Sequence, residues 1–335
     1  RHAKGVPPFM VHLWCNAGGR RWPGGYALFR AGVVVGKGGC EPSSTNAKPR
    51  ADVRYCTFEI ATRMGEQVMD WDEMARPWLE AAADLETTFS EVFEALFQAA
   101  NLKSGEVVLD VGCGTGPMLD YSAMAVGPGG RVVGIDVAPP LVAVAQKRAP
   151  KNVELIVGDA GSHVYEAGSF DAIIANFGIM IFNVTTAAFE NLRSAMKPGA
   201  RMAATFWATP LENPWFSMPR RIVDSLVDDV PRPDPSGPGP MRFGDTATLE
   251  AIMENSGWRT RFQTLDLMLR PPGSAERVAD IHMKVTVGMM LKGVEVSEEK
   301  LSEIRMTVAD ACKQYRSEQG IAVPARIHVV EAIAV

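Results

Sequence analysis

A short apolar strand running straight into three closely spaced glycines, Val108-Leu-Asp-Val-Gly-Cys-Gly-Thr-Gly116, restricts the fold of this chain more than any other stretch. A strand that turns sharply into a helix while its backbone touches a ligand needs residues without a Cβ. Gly112, Gly114 and Gly116 permit both the turn and the close approach. The spacing is not the G-x-G-x-x-G of a nicotinamide-binding turn, because Pro117 stands three residues beyond Gly114. Proline at the start of the following helix is well tolerated. Asp110, two residues before the first glycine, has the wrong charge for cradling a pyrophosphate and suits a cationic ligand.

On either side of this turn the hydrophobic pattern alternates between periods. Trp71, Met74, Trp78, Leu85, Phe89, Phe93 and Phe97 recur at helical spacing, which predicts one long helix ending near Lys103. Strands are then expected over 107–111, 131–136, 153–157, 170–175 and 201–207, with helices over 117–126, 140–148 and 185–196 between them. Five strands alternating with helices imply right-handed crossovers and an α/β doubly wound, mostly parallel sheet. Further helices are expected over 214–230 and 246–255, a proline-rich surface loop over 231–240, and a sixth strand over 259–269. A seventh strand over 326–335 should close the sheet. Residues 270–322 read as a helical insertion before that last strand, placed over one edge as part of a lid.

The chemistry-bearing residues collect at strand ends. Asp136 follows Gly112 by 24 residues, where a carboxylate can accept both hydroxyls of an unmodified ribose. Gly158-Asp159-Ala160 offers a carboxylate for an exocyclic adenine amine and a backbone N–H for a ring nitrogen, and Asn176-Phe177-Gly178 ends the fourth strand. All of these signals lie at the carboxyl ends of parallel strands, the crevice in which open α/β sheets bind ligands. Cys113 invites a nucleophile reading, but no base lies near it in sequence, and a small side chain packed inside the turn is the expectation. Trp78 and Phe177 are expected at a pocket edge, Trp207 in the core or lining an acceptor pocket, and Phe182 in the core.

The strings LDVGCGTG, GID, GDA, FDAIIANFGIMIF and MKPGARMAATFWATPLENPWF together resemble the class I S-adenosylmethionine-dependent methyltransferases, within the ubiquinone/menaquinone-biosynthesis-like branch. The resemblance runs over roughly residues 66–335. It implies that Asp110, Gly112, Cys113, Gly114 and Gly116 form the turn beneath the amino-acid part of the cofactor, and that Asp136 holds its ribose. It further implies that Val137 packs on the adenine, that Asp159 and Ala160 read the adenine edge, and that Asn176 and Phe177 lie near the sulfonium end. Many relatives have Arg where Asn176 stands and Gly-Gly where Gly199-Ala200 stands. A general base is optional for methyl transfer from a sulfonium. His163, in the loop after the third strand, is the candidate, and Trp78, His163 and Trp207 are the candidate acceptor contacts. His282, in the helical insertion, could also face the cleft.

Composition narrows the remaining choices. The uncharged run 172–189 contains Asn176, Asn183, Thr185 and Thr186, so no membrane span is expected. The five cysteines are odd in number and widely spaced without any CxxC, which indicates neither a disulfide framework nor a metal site and points to a reducing, cytoplasmic setting. Residues 1–57 hold nine basic residues against Glu41 and Asp52, while the rest of the chain carries a net charge of −12. That first part is expected to be a poorly ordered, glycine-rich basic tail without chemistry, and residues 58–335 the catalytic domain. The acidic remainder argues against a nucleic-acid partner. The expected activity is methyl transfer to a small, apolar or aromatic molecule by a monomer or homodimer. The alternatives are a catalytically silent module that binds the same cofactor and, on the same fold, an NAD-dependent dehydrogenase.

Overall fold

The computed structural model describes residues 71–234 and 237–335. The tail expected over 1–57 lies outside the described residues. The first helical stripe is broken in two, as α1 (Trp71–Thr88) and α2 (Ser90–Ala100). Thr87 and Thr88 turn their hydroxyls back onto the carbonyls of Ala83 and Asp84, and the Thr88 carbonyl accepts the Arg270 N–H at 3.2 Å. That contact draws a backbone acceptor out of the helical ladder, which periodicity alone does not register.

Beyond it the chain follows β1 (Val107–Val111), α3 (Leu119–Val126), β2 (Arg131–Asp136), α4 (Pro139–Arg148), β3 (Val153–Val157), β4 (Phe170–Asn176), α5 (Thr185–Ala195) and β5 (Met196–Trp207). Then come α6 (Pro214–Leu226), α7 (Thr246–Asn255), β6 (Trp258–Leu269), α8 (Ala275–His282), α9 (Glu298–Cys312) and β7 (Val323–Ala334), with a two-rung hairpin, Arg316–Ser317 against Gly320–Ile321, just before β7. The seven main strands form one sheet in the order β3-β2-β1-β4-β5-β7-β6. Neighbours from β3 through β5 are parallel, and β7 runs antiparallel to both β5 and β6. The last strand therefore does not close an edge, as expected from sequence, but is inserted between the fifth and sixth strands. Alternation of period reveals that a strand exists; the neighbour it chooses is decided by long-range pairing that no local pattern encodes.

Side-chain alternation along the strands feeds two apolar layers. Val108, Val132, Ala172, Ile174 and Ala203 pack with Leu119 and Ala145 on one face, and Leu109, Val133, Ile135, Ile173 and Met202 pack with Phe189 and Leu192 on the other. The central strands are buried on both faces, as parallel strands covered by helices must be. At the amino end of the sheet Arg201 donates to both Glu106 oxygens (2.8 and 2.7 Å) and to the Ala100 carbonyl, tying β5 to the end of α2. At the opposite end the buried Asn213 donates to the carbonyls of Thr209 and Arg326 and accepts the Arg326 N–H at 3.0 Å, so all its hydrogen-bonding groups are used in fastening the turn after β5 to β7.

The insertion between β6 and β7 is seated by its own apolar face. Ala275, Val278, Ala279, Ile281 and His282 of α8 are buried in the main core. After α8 the helix widens into a π segment, Met283–Val287, before ending near Met290. No helix among the described residues is long and apolar enough to cross a membrane.

Candidate functional site

The order β3-β2-β1-β4 sets the tips carrying Asp159, Asp136, the glycine turn and Asn176 side by side along one edge. Chain order reverses between β1 and β4, the switch point at which open sheets leave a crevice. Gly112, Gly114 and Gly116 have φ of 71°, 56° and 86°, a left-handed backbone that favours glycine at each. The turn is fixed by β2: the Gly112 and Cys113 N–H groups donate to the Ile135 carbonyl at 2.9 and 3.1 Å. A Cβ on Gly114 would meet nothing within 4 Å, so the turn presents an open cradle there.

Asp136 continues this bracing. One carboxylate oxygen accepts from the Gly114 N–H and the other from the Ala138 N–H, both at 2.9 Å. Each oxygen keeps a second lone pair for a ligand hydroxyl. Burial raises its carboxyl above the ordinary range, against which the Ala138 and Gly114 N–H groups work. Cys113 is buried, and a Cβ on Gly134 would stand 3.0 Å from its sulfur. Burial pushes its thiol well up, which keeps it protonated and packed, as sequence reasoning expected.

Asp110 is 2% exposed, and its Oδ2 has no hydrogen-bond partner. Burial, and secondly the nearby Asp136 charge, push its carboxyl up to about 7. The folded value lies above the unfolded one, so folding favours the protonated form. As pH rises from about 4 to 7 the unfolded chain ionises first and stability falls; below that window both states are protonated and the penalty is absent. At about 1.4 kcal/mol per tenfold change in proton affinity, the effect amounts to a few kcal/mol. Urea unfolding of the ligand-free protein at pH 5 and pH 8 should show the wild type gaining stability relative to Asp110→Asn at the lower pH. A gap between the two proteins that stays constant with pH would acquit Asp110.

Beyond β4 the backbone is strained. Phe177 has φ of 58°, a left-handed conformation rare for a bulky residue and costing about 1–3 kcal/mol. Its ring stacks on Trp207 at 4.3 Å and 9° and meets the edge of Phe89 at 5.7 Å, while its N–H donates to the Thr205 carbonyl. Trp207, stacked on that ring, is 3% exposed. Asn176 accepts from the buried Thr205 hydroxyl at 2.7 Å. Its amide N–H groups remain for the crevice.

At the far end of the row Asp159 accepts from the Gly161 N–H at 2.9 Å and the Ser162 hydroxyl at 2.7 Å, with Val137 half-buried and Ala160 buried nearby in the neighbouring loops. His163 belongs to this end too: its ring meets Tyr165 edge-on at 4.7 Å. The β3 tip is three strands from the β4 tip, about 14 Å at the usual strand spacing. The loop carrying His163 reaches across to the helix after β4, where the Asn191 amide donates to the His163 carbonyl at 2.9 Å.

Sequence reasoning missed Glu86. From α1 it accepts from Thr115 of the glycine turn at 3.1 Å and pairs with Arg148 of α4 at 2.7 Å, so α1 lies against the turn. Trp78, two turns earlier on α1, is 37% exposed. A Cβ on Gly178 would stand 2.3 Å from the Val111 carbonyl oxygen, a close approach of two strand tips that leaves no local mark in the sequence. A surface cavity of about 540 Å³ lies on the β6–β7 side of the sheet, but its carboxylates Glu212 and Asp266 are bonded to Arg326, and Glu91 to Arg270. Among the described residues no group of three or more His, Cys, Asp or Glu side chains is placed to hold a metal ion.

Residues 108–199 match the family model of a methyltransferase domain. Nocamycin O-methyltransferase of Saccharothrix syringae is 34% identical over 147 residues, covering 42% of this chain and 52% of that protein. Aklanonic acid methyltransferase DauC of Streptomyces sp. (strain C5) is 32% identical over 121 residues, covering 35% and 55%. The chain thus spans about half the length of these curated relatives. Among solved structures, phosphoethanolamine N-methyltransferase 2 of Haemonchus contortus shares the fold, with a TM-score of 0.50 at 16% identity over 80% of this chain and 61% of that one.

Proposed function

We propose that this chain, which carries a methyltransferase domain over residues 108–199, is an S-adenosylmethionine-dependent methyltransferase acting on a small apolar or aromatic molecule. The observation that carries the reading is the continuous row of strand tips. An open glycine cradle, an adjoining carboxylate with spare lone pairs and a buried unpartnered carboxylate oxygen lie on neighbouring strands. This donor and acceptor set fits a cationic nucleoside. Gly112, Cys113, Gly114 and Gly116 would pass beneath its amino-acid part, and Asp110 would face the ammonium. Asp136 would accept the ribose hydroxyls, and Val137, Asp159 and Ala160 would bound the adenine.

When bound, S-adenosylmethionine supplies a methyl group on a sulfonium that leaves as a neutral thioether. The protein's part is alignment, and proximity with orientation can supply about 7–11 kcal/mol of the barrier. Asn176 and Phe177 stand where the acceptor would meet the reacting end. Aromatic rings exclude water on that side and favour a flat, apolar acceptor. Residues 58–335 would form the catalytic domain, with 270–322 covering the acceptor side. A small-molecule acceptor rather than nucleic acid suits the chain's net charge of −5. Free, buried Cys113 and Cys312 suit a cytoplasmic setting, in which we place a monomer or homodimer.

Calorimetric titration should give binding of S-adenosylhomocysteine and none of NAD. Incubation with methyl-labelled S-adenosylmethionine and extracted metabolites should give a labelled small molecule. Tighter binding of NAD would end this reading, and binding without any transfer would leave a silent module instead.

A further inference from the structure

The acceptor side holds a histidine whose ring is half used. His282, the last residue of α8, is wholly buried, with its ring centroid 4.2 Å from that of Trp215. Trp215 in turn meets Phe89 at 6.3 Å, and Phe89 meets both Phe177 and Trp207 at 5.7 Å. A continuous chain of rings thus connects the tips of β4 and β5 to His282.

The Nδ1 atom of His282 lies 2.9 Å from the Thr286 hydroxyl, which also donates to the His282 carbonyl at 3.2 Å. A hydroxyl has one proton. Both contacts are made at once only when that proton points to the carbonyl and the imidazole carries its own on Nδ1. Nε2 is then a bare lone pair, and it has no partner. Burial holds the ring neutral, with its pKa lowered to about 3. His328 is the contrast: both of its ring nitrogens have partners, Thr264 at 2.9 Å and the Gly244 carbonyl at 3.2 Å. An unfilled buried acceptor carries a desolvation cost that a structural histidine would avoid. The π segment Met283–Val287 follows His282 directly, a geometry that recurs at functional sites. Toward α1, this segment makes an exposed ion pair between Lys284 and Glu80 at a long 3.6 Å.

We propose that His282 Nε2 recognises the methyl acceptor, taking a hydrogen bond from the hydroxyl of a flat aromatic molecule that enters between His282 and Trp215. The inference rests on the methyltransferase reading. It assigns His282, rather than His163, to the acceptor, and makes a phenolic O–H the selected group.

The full chain loaded with S-adenosylhomocysteine can be titrated calorimetrically with 2-naphthol and with 2-methoxynaphthalene, which keeps the rings but has no donor. Naphthol should bind at least tenfold more tightly. His282→Phe should reduce that ratio to within about twofold, and His282→Gln, which offers a carbonyl oxygen, should restore part of it. The nitrogen-15 resonance of Nε2 in the wild type should move on adding naphthol and stay still on adding the ether, a readout that needs no variant to fold. Equal or absent binding of the two probes by the wild type, a preference that survives in His282→Phe, or an unmoved Nε2 resonance would each overturn the assignment. Failure to bind S-adenosylhomocysteine would strike the methyltransferase reading alone, since the naphthol series run without the nucleoside still interrogates His282.

Discussion

Gly178→Ala should lower stability by about 2–3 kcal/mol and weaken S-adenosylhomocysteine binding at least tenfold, because the added methyl has nowhere to go. Its carbon would stand 2.3 Å from the Val111 carbonyl oxygen, 3.1 Å from the Val111 carbonyl carbon and 3.3 Å from the Gly112 Cα. All three are backbone atoms, so no rotamer relieves the contact. The tips of β1 and β4 must separate, and overpacking of this kind costs typically about 1–3 kcal/mol. The contact is reciprocal, since a Cβ on Gly112 would meet the Gly178 Cα at 3.0 Å. Moving one tip therefore moves the glycine turn. Gly114→Ala separates the two effects: its Cβ would point into open space, so the fold bears only the left-handed strain, about 1–2 kcal/mol, while the cradle is filled. Urea unfolding and calorimetry on both variants check the pair. A Gly178→Ala protein with wild-type stability would mean that the two tips are not in contact.

Asp136→Ala should weaken S-adenosylhomocysteine binding by about tenfold to more than a hundredfold, while leaving the chain folded. The ligand side of the loss is the charged hydrogen bonds to the ribose, worth about 1.5–3 kcal/mol each. The protein side is the loss of acceptors for the Gly114 and Ala138 N–H groups, which hold the turn and the entry to α4. Asp136→Asn should be intermediate, because one oxygen survives and the amide nitrogen faces an N–H that it cannot accept. Isothermal titration of the three proteins gives the order. Wild-type affinity in Asp136→Ala would remove this carboxylate from the site and, with it, the ribose reading of β2.

How much of this was legible in the sequence depended on the range of the interaction. The strands that build the crevice were legible because buried parallel strands are short apolar runs, and their ends were marked by glycine or a carboxylate. Glycines 112, 114 and 116 could be read because a left-handed backbone leaves a compositional trace. Gly178 could not, since its backbone is ordinary and only the approach of another strand forbids a side chain. The break at Phe89 and the burial of His282 were likewise hidden, because both arise from partners far along the chain: Arg270 for the first and Trp215 for the second.

The placement of β7 bears on how the molecule is made. Val323–Ala334 supply the partner for Arg201–Trp207 of β5 and for the paired side of β6. Until β7 is in place, β5 and β6 each carry an open hydrogen-bonding ladder. Such ladders are templates for intermolecular pairing. Waiting for the segment that follows the insertion slows assembly, and leaves two of the seven strands unplaced when the glycine crevice is already built.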